Sequence, residues 1–127
     1  LVGVKCDIWI PAARPDVLTE NNVDQLKAKL VIHGANIPAT ETAEQLMHKR
    51  GILNIPDFIA NAGGVICAAV EFGGGSESQV MDTIEEKIRT NTLETLERSK
   101  KENLSPREAG VKMAFSRIEK AMTDHDT

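Results

Sequence analysis

Three short apolar runs divide the first half of the chain. The first alternates around Trp9 and closes at Pro11, and the other two cover residues 30–33 and 52–55. Each run has the length of a β-strand. Runs that are apolar almost throughout are typical of strands buried on both faces, as in a parallel sheet.

Two segments between these runs are predicted to be helical. Residues 19–29 are mainly polar, with apolar positions three apart. A second helix begins after Thr40, a favourable N-cap, and runs to Lys49, with Gly51 as its C-cap. The chain therefore has the strand–helix–strand alternation of a doubly wound α/β sheet.

Beyond residue 61 the pattern changes to helices. Residues 65–72 are mostly apolar and predict a short buried helix, which a run of three glycines ends. Capping-box residues at Ser76 and at Ser105 predict two long helices, and the tail from residue 124 is expected to fray. The predicted fold is a partial Rossmann-like sheet of about three parallel strands, followed by long C-terminal helices. We expect a single domain over residues 1–127.

Composition narrows the function classes. Hydrophobic residues make up 41% of the 127 positions, which is enough for a folded core, and the net charge is −4. An acidic chain with one Trp and no Tyr lacks the basic stripe and stacking platforms of a nucleic-acid-binding protein. The sequence contains no run of 18 apolar residues that would predict a transmembrane helix, so no membrane partner is expected. The two cysteines, Cys6 and Cys67, have neither the spacing of a zinc site nor that of a disulfide framework. A cytoplasmic location is therefore the default expectation.

Small residues and asparagines follow all three predicted strands, at residues 11–13, 34–36 and 61–64. Ligands of open parallel sheets bind outside the carboxyl ends of the strands, where small residues allow close approach to the backbone. An Asn amide can both donate and accept hydrogen bonds, as a carboxamide or ribose requires. Each segment alone is more typical of a tight turn. Three such ends in one series favour a shared ligand crevice.

Other candidate motifs favour structural interpretations. His33 closes an apolar strand without a second ligand at metal-binding spacing, which is more typical of a packed or capping histidine than of a catalytic one. The glycines at 73–75 lack the Lys and Ser/Thr of a phosphate-binding loop, and no GxGxxG follows any strand.

Three sequence blocks resemble the glutamate/leucine/phenylalanine/valine dehydrogenase family. They are CDIWIPAA at residues 6–13, GAN at residues 34–36 and PDFIANAGGV at residues 56–65. They are most similar to the C-terminal part of the family's NAD(P)-binding domain. The resemblance implies oxidative deamination of an L-amino acid to its 2-oxo acid with NAD or NADP as cofactor, and a small-molecule amino-acid substrate as partner.

The resemblance also implies roles for seven residues. Four would line the cofactor cleft or lie beside the nicotinamide and its ribose: Ala12, Ala13, Asn36 and Asn61. Three would border the substrate: Gly64, Val65 and Ala68. The choice between NAD and NADP and the identity of the amino acid stay open.

Three departures from the family pattern bear on these roles. Glutamate enzymes of the family usually have a Ser where this chain has Ala68, and a methyl group in place of a hydroxyl favours an apolar substrate. His33 stands where a Glu is common, and Ile37 where a Gly is frequent. These departures motivate an alternative function, a non-catalytic dehydrogenase-like module for regulation or assembly.

We expect the chain to be a fragment of the parent enzyme and inactive by itself. The family's glycine fingerprint and its catalytic Lys and Asp belong to other parts of the enzyme, and this sequence contains none of these motifs. No residue of this chain is therefore assigned a catalytic role. The first strand would also have an unpaired edge, which favours self-association, so we expect a homo-oligomer.

Overall fold

The computed structural model describes residues 1–125, and its core element is a three-stranded sheet. The strands are β1 (Ile8–Trp9), β2 (Leu30–Ile32) and β3 (Leu53–Ile55), all parallel and in the order β1-β2-β3. Ile8 is paired with Leu30, and Leu30 with Leu53, so the strands run in step. Their carboxyl ends therefore meet at one edge of the sheet. The predicted α/β fold with about three parallel strands is confirmed.

The first strand is shorter than its apolar run predicted. Only two residues pair with β2, and Ile8 and Ile10 on either side of Trp9 are exposed. Within residues 1–125 no strand pairs with the other side of β1. An edge strand is buried on fewer sides than a central one, which explains why this apolar run is not covered.

Five α-helices accompany the sheet in the described part of the chain. Their bounds are α1 (Glu41–Lys49), α2 (Asp57–Ala60), α3 (Gly63–Phe72), α4 (Glu77–Glu102) and α5 (Pro106–His125). The helix starts follow from local capping chemistry. Thr40 Oγ1 accepts from the amide of Ala43, Ser76 forms a complete capping box, and Ser105 exchanges hydrogen bonds with Glu108. All three predicted N-caps are confirmed, while the C-cap of α1 is Arg50, one residue before the predicted C-cap Gly51.

Helix α5 continues through residue 125, although fraying was predicted from residue 124. The rest of that predicted tail, residues 126–127, lies outside the described residues. Among the helices of residues 1–125, none has the length and apolar character needed to cross a membrane.

Helices pack on both faces of the sheet because successive strand side chains point in opposite directions. Val31 of β2 lies fully buried in a cluster that includes Ala43 and Met47 of α1. Its neighbours Leu30 and Ile32 contact the opposite cluster, which α2, β3 and α5 complete with Ile59, Ile55 and Met113. The sheet is therefore covered on both faces, as expected of a doubly wound fold.

The predicted helix over residues 19–29 is wrong, and only a single 3₁₀ turn (Val23–Gln25) forms there. Asn22 accepts from the Thr19 amide through Oδ1 and donates from Nδ2 to the carbonyl of Val17. Side-chain bonds of this kind compete with a continuous helix. The apolar residues three apart, Val23 and Leu26, are buried in the core all the same, because a 3₁₀ turn also repeats every three residues.

The expectation that residues 65–72 form a buried helix is half right. Helix α3 forms, but none of its residues is buried, and Val65 and Phe72 are 77% and 97% exposed. Gly63 faces Ile84 of α4, to which a Cβ on this glycine would lie 3.7 Å away. The helix is therefore covered on the α4 side, while its outer face has no cover from residues 1–125.

Candidate functional site

The carboxyl edge of the sheet brings the first two predicted segments into direct contact. The carbonyl of Pro11 accepts hydrogen bonds from the amides of Gly34 (3.1 Å) and Ala35 (2.9 Å). A Cβ added to Gly34 would lie 3.0 Å from the Cβ of Ala12. This spacing is tighter than an ordinary van der Waals contact, so glycine allows the close approach of the two segments.

The third segment joins them through an amide–amide hydrogen bond. Asn61 Nδ2 donates to Asn36 Oδ1 at 2.6 Å and lies 3.4 Å from the carbonyl oxygen of Gly34. Asn36 is exposed and Asn61 is half-buried. Among residues 1–125, neither Asn36 Nδ2 nor Asn61 Oδ1 has a hydrogen-bond partner. The pair therefore keeps a donor and an acceptor for a ligand at this edge.

Ala12 and Ala13 extend the edge along β1. Both are exposed and line a concavity of about 410 Å³ whose other walls are mainly apolar: Leu1, Val4, Cys6, Ile8, Trp9, Ile10, Pro11 and Val17. The two asparagines do not line this concavity. Ala12, in contact with Gly34, is the residue that links it to the asparagine pair.

The three residues predicted to border the substrate share the outer surface of α3. Gly64, Val65 and Ala68 are all exposed, and the spacing of one and four residues puts them on neighbouring positions of the helix surface. A Cβ added to Gly64 would meet no heavy atom within 4 Å. Asn61 ends α2 just before α3 begins, so the asparagine pair and this surface are adjacent along the chain.

Beneath this edge lies a charged cluster that the sequence analysis did not anticipate. We call it the Arg107 cluster: Glu44 of α1, Asp57 of α2 and Arg107 of α5. Arg107 donates to Glu44 through both Nε and Nη2, and Nη2 also donates to Asp57 Oδ1 at 2.8 Å. Both carboxylates are buried. The guanidinium also lies over the ring of Phe58, 5.3 Å from its centroid. One cation thus joins three helices.

The cluster continues into the loop that carries Asn36. Asp57 Oδ2 accepts a 2.8 Å hydrogen bond from the amide of Ile37, whose φ of +48° is left-handed. Burial alone raises the pKa of Asp57, but hydrogen bonds from the Ile37 amide and from Arg107 outweigh it, so the pKa lies below its usual value. For the same reason the pKa of Arg107 is raised, although burial opposes this. Asp57 and Arg107 therefore both stay charged at neutral pH.

His33 packs beside the cluster, in agreement with the structural interpretation of this residue. Its ring is fully buried, and Nδ1 lies 3.6 Å from Glu44 Oε1. Neither ring nitrogen has a hydrogen-bond partner in the described part of the chain. Burial, with the nearby charge of Arg107, lowers the pKa of His33 to about 4, although Asp57 acts in the opposite sense. The imidazole is therefore neutral at physiological pH.

No sequence motif marks this cluster, because its members lie far apart in the sequence, at positions 44, 57 and 107. The one available signal was Asp57 within the PDFIANAGGV block. An Asp at the first position of a helix is favoured there by the helix N-terminus alone, so Asp57 by itself does not indicate a buried partner.

Comparisons with known proteins assign the chain to a family. The sequence profile of the glutamate/leucine/phenylalanine/valine dehydrogenases matches residues 1–126. A glutamate dehydrogenase of Aeropyrum pernix is 36% identical over 96% of this chain and 32% of its own length. An NADP(+)-dependent glutamate dehydrogenase of Pyrobaculum calidifontis is 37% identical over 91% of this chain and 29% of its own. The chain thus spans about a third of the length of these curated relatives.

Solved structures of amino acid dehydrogenases have the same fold. L-tryptophan dehydrogenase from Nostoc punctiforme superposes with a TM-score of 0.87 at 26% identity, over 96% of this chain and 37% of that one. Glutamate dehydrogenase from Peptoniphilus asaccharolyticus gives 0.80 at 28% identity, over 91% and 31% of the two chains. Together with the profile match over almost every residue, these similarities show that the chain belongs to the glutamate/leucine/phenylalanine/valine dehydrogenase family.

Proposed function

We propose that this chain is the C-terminal part of the nicotinamide-dinucleotide-binding domain of an amino acid dehydrogenase. The observation that carries the proposal is the Asn36–Asn61 amide pair at the carboxyl edge of a parallel sheet, in a member of this family. Ligands of such sheets bind at this edge. The names of the relatives favour an enzyme over the alternative of a non-catalytic regulatory module.

The edge has the chemistry that a nicotinamide nucleotide requires. The ring carboxamide and the ribose hydroxyls need both donors and acceptors, and Asn36 Nδ2 and Asn61 Oδ1 supply one of each. At Gly34 the missing Cβ lets the Ala12 segment pack closely, and the exposed Ala12 and Ala13 present only methyl groups to a ligand. We therefore assign Ala12, Ala13, Asn36 and Asn61 to cofactor binding, with NAD or NADP as the cofactor.

In the proposed reaction an L-amino acid is oxidised at Cα, and water replaces its nitrogen to give the 2-oxo acid and ammonium. The bound cofactor supplies the chemistry by accepting the hydride. The residues of this chain orient the nicotinamide through the two amides and form one wall of the substrate pocket. No residue of the chain is assigned the proton transfer, and the isolated chain is expected to show no turnover.

We assign the outer face of α3 to the substrate wall. Gly64, Val65 and Ala68 present only backbone and apolar groups, and none of their side chains can hold a charged substrate group. This favours an amino acid with an apolar side chain over glutamate. A comparison of kcat/KM for glutamate and for leucine or tryptophan, in the protein that carries this chain, tests the assignment; a strong preference for glutamate contradicts it.

We also propose that the protein is a homo-oligomer. Phe115, Ile118 and Met122 are spaced three and four residues apart on α5 and are all more than half exposed. A row of exposed apolar side chains is typical of an interaction surface. Analytical ultracentrifugation tests this in the protein that carries this chain, and a monomer at high concentration contradicts it.

The experiment that tests the proposed function is substitution of the amide pair. We expect Asn36→Ala and Asn61→Ala each to weaken NAD(P)H binding, measured by fluorescence titration, by about tenfold, the effect of losing one well-placed polar contact. Asn91→Ala is the matched control, because Asn91 is also a half-buried asparagine with a side-chain hydrogen bond, here from Arg117 on the α4–α5 surface. If both site variants bind the dinucleotide as tightly as the control, the proposed function is wrong.

A further inference from the structure

We infer that Asp57 is a positioning residue that fixes both asparagines of the dinucleotide site, and that Arg107 orients it. The inference rests on the proposed function, since it takes the Asn36–Asn61 pair as the cofactor site. Asp57 lies beneath this pair and belongs to the buried Arg107 cluster.

Asp57 holds the first asparagine through its side chain. Its Oδ2 accepts from the amide of Ile37, the residue next to Asn36, at 2.8 Å. Ile37 is a β-branched residue at φ +48°, where L-residues are strained unless their surroundings hold them. The side chain of Ile37 is exposed, so its burial contributes little to stabilising this left-handed conformation. Two hydrogen bonds hold this turn: the Ile37 carbonyl accepts from the Asp16 amide at 3.0 Å, and the Ile37 amide donates to Asp57. Of the two, only the bond to Asp57 is made by a side chain.

Asp57 holds the second asparagine through its backbone. Its carbonyl accepts a 2.8 Å hydrogen bond from the amide of Asn61, which closes the single turn of α2. The side chain of Asn61 then reaches Asn36 Oδ1. One residue thus sets the positions of both amides, which come from segments 25 residues apart.

Arg107 keeps the carboxylate of Asp57 in this orientation. It donates to Oδ1, which leaves Oδ2 directed at the Ile37 amide, and it is held in turn by two hydrogen bonds to Glu44. A buried carboxylate with both oxygens engaged loses its rotational freedom. Binding sites held in place by such supporting contacts bind with less ordering cost.

The test is a comparison of Asp57 variants in the protein that carries this chain. We expect Asp57→Ala to raise the KM for the dinucleotide by about tenfold or more, because the Asn36 segment loses the carboxylate that accepts from the Ile37 amide, while the backbone bond to Asn61 remains. Asp57→Asn keeps an acceptor for the Ile37 amide and should lose less. The KM for the amino acid should change less than that for the dinucleotide in both variants.

Glu108→Gln is the matched control. Glu108 is also a carboxylate that accepts one backbone amide at 2.8 Å, from Ser105, but it caps α5 and is exposed. This variant should lower stability without changing the KM for the dinucleotide. A second measurement, hydrogen exchange of the Ile37 amide, should show protection in the wild type, reduced protection in Asp57→Asn and none in Asp57→Ala.

Rescue separates positioning from a general structural role. Glycine adopts the left-handed conformation without support, so Ile37→Gly in the Asp57→Ala background should recover part of the dinucleotide affinity. If Asp57→Ala does not fold, the comparison of Asp57→Asn with Glu108→Gln decides the question.

Two results would overturn the inference. If the Asp57 variants are destabilised but their folded fraction has the wild-type KM for the dinucleotide, Asp57 is structural only. An unprotected Ile37 amide in the wild type removes the proposed link to Asn36. Failure of the proposed function gives a different result, since then Asn36→Ala and Asn61→Ala themselves leave binding unchanged.

Discussion

Substitution of Arg107 by Met should destabilise the protein far more than a typical loss of an ion pair. The change keeps an aliphatic stem but removes the cation that serves Glu44 and Asp57, whose side chains are only 6% and 10% exposed. Removing one partner from a buried ion pair costs about 3–5 kcal/mol, because the remaining charge is left unpaired. Two carboxylates lose their partner here, but Arg107 is itself 28% exposed and water can reach the site. We therefore expect a loss of about 3 kcal/mol.

Arg98→Met is a closely matched control. The side chain of Arg98 is 27% exposed, nearly the same as that of Arg107, but it forms one ion pair, with Glu102 at 3.7 Å in the next turn of α4. Glu102 also keeps its hydrogen bond from Lys112. Pairs of this kind contribute about 0.5 kcal/mol or less.

Urea unfolding followed by circular dichroism measures both losses, and the fluorescence of Trp9 in β1 gives a second probe. The deficit of Arg107→Met should also shrink on acidification. Because the pKa of Asp57 is lowered in the folded protein, its contribution to stability is present above its unfolded pKa and is lost as the pH falls through the folded value. Equal losses in Arg107→Met and Arg98→Met at neutral pH would refute the reasoning.

Two further predictions concern the site and its buried histidine. Gly64→Ala should raise the free energy of unfolding by about 0.5 kcal/mol, because alanine favours the helix and its Cβ meets no atom within 4 Å. The same variant should raise the KM for the amino acid, because it adds a methyl group to the substrate wall. Unchanged substrate kinetics would contradict the role of α3. His33→Gln should flatten the dependence of stability on pH between about 6.5 and 4. Because the pKa of His33 is lowered in the folded protein, the unfolded chain binds an extra proton in this pH range. The free energy of unfolding of the wild type therefore falls by roughly 3 kcal/mol as the pH drops across the range. If urea unfolding shows the same pH dependence in His33→Gln as in the wild type, the prediction is wrong.

Local chemistry explains which parts of the fold could be predicted from the sequence. The starts of α1, α4 and α5 depend on a Thr or Ser and on residues within the following turn, so their signals are contiguous in the sequence. The three parallel strands followed from apolar runs bounded by Pro and Gly. In residues 19–29 the local signals disagreed: apolar spacing favoured a helix, but the side-chain bonds of Asn22 to the backbone of Thr19 and Val17 stabilised a turn.

In the candidate site, too, one part could be predicted from the sequence and another part could not. The three strand ends were found because parallel strands in step bring their carboxyl ends together, and the structure does bring Ala12, Asn36 and Asn61 to one edge. The Arg107 cluster depends on the packing of α5 against α1 and α2. Nothing near Arg107 in the sequence indicates that its partners are Glu44 and Asp57, because helix packing is decided by tertiary contacts.

The distance along the chain between the members of the Arg107 cluster has a consequence for folding kinetics. Arg107 lies 63 residues from Glu44 and 50 residues from Asp57, so the cluster closes two of the long loops of the fold. Contacts over such long sequence separations form after local turns and helices, because the chain loses the entropy of closing the loop before the contact stabilises it. All three strands and α1 lie within the first 55 residues, but Asp57 acquires the cation that orients its carboxylate only when α5 docks. During synthesis the cation that orients Asp57 is therefore made last, after both asparagine segments and Asp57 itself.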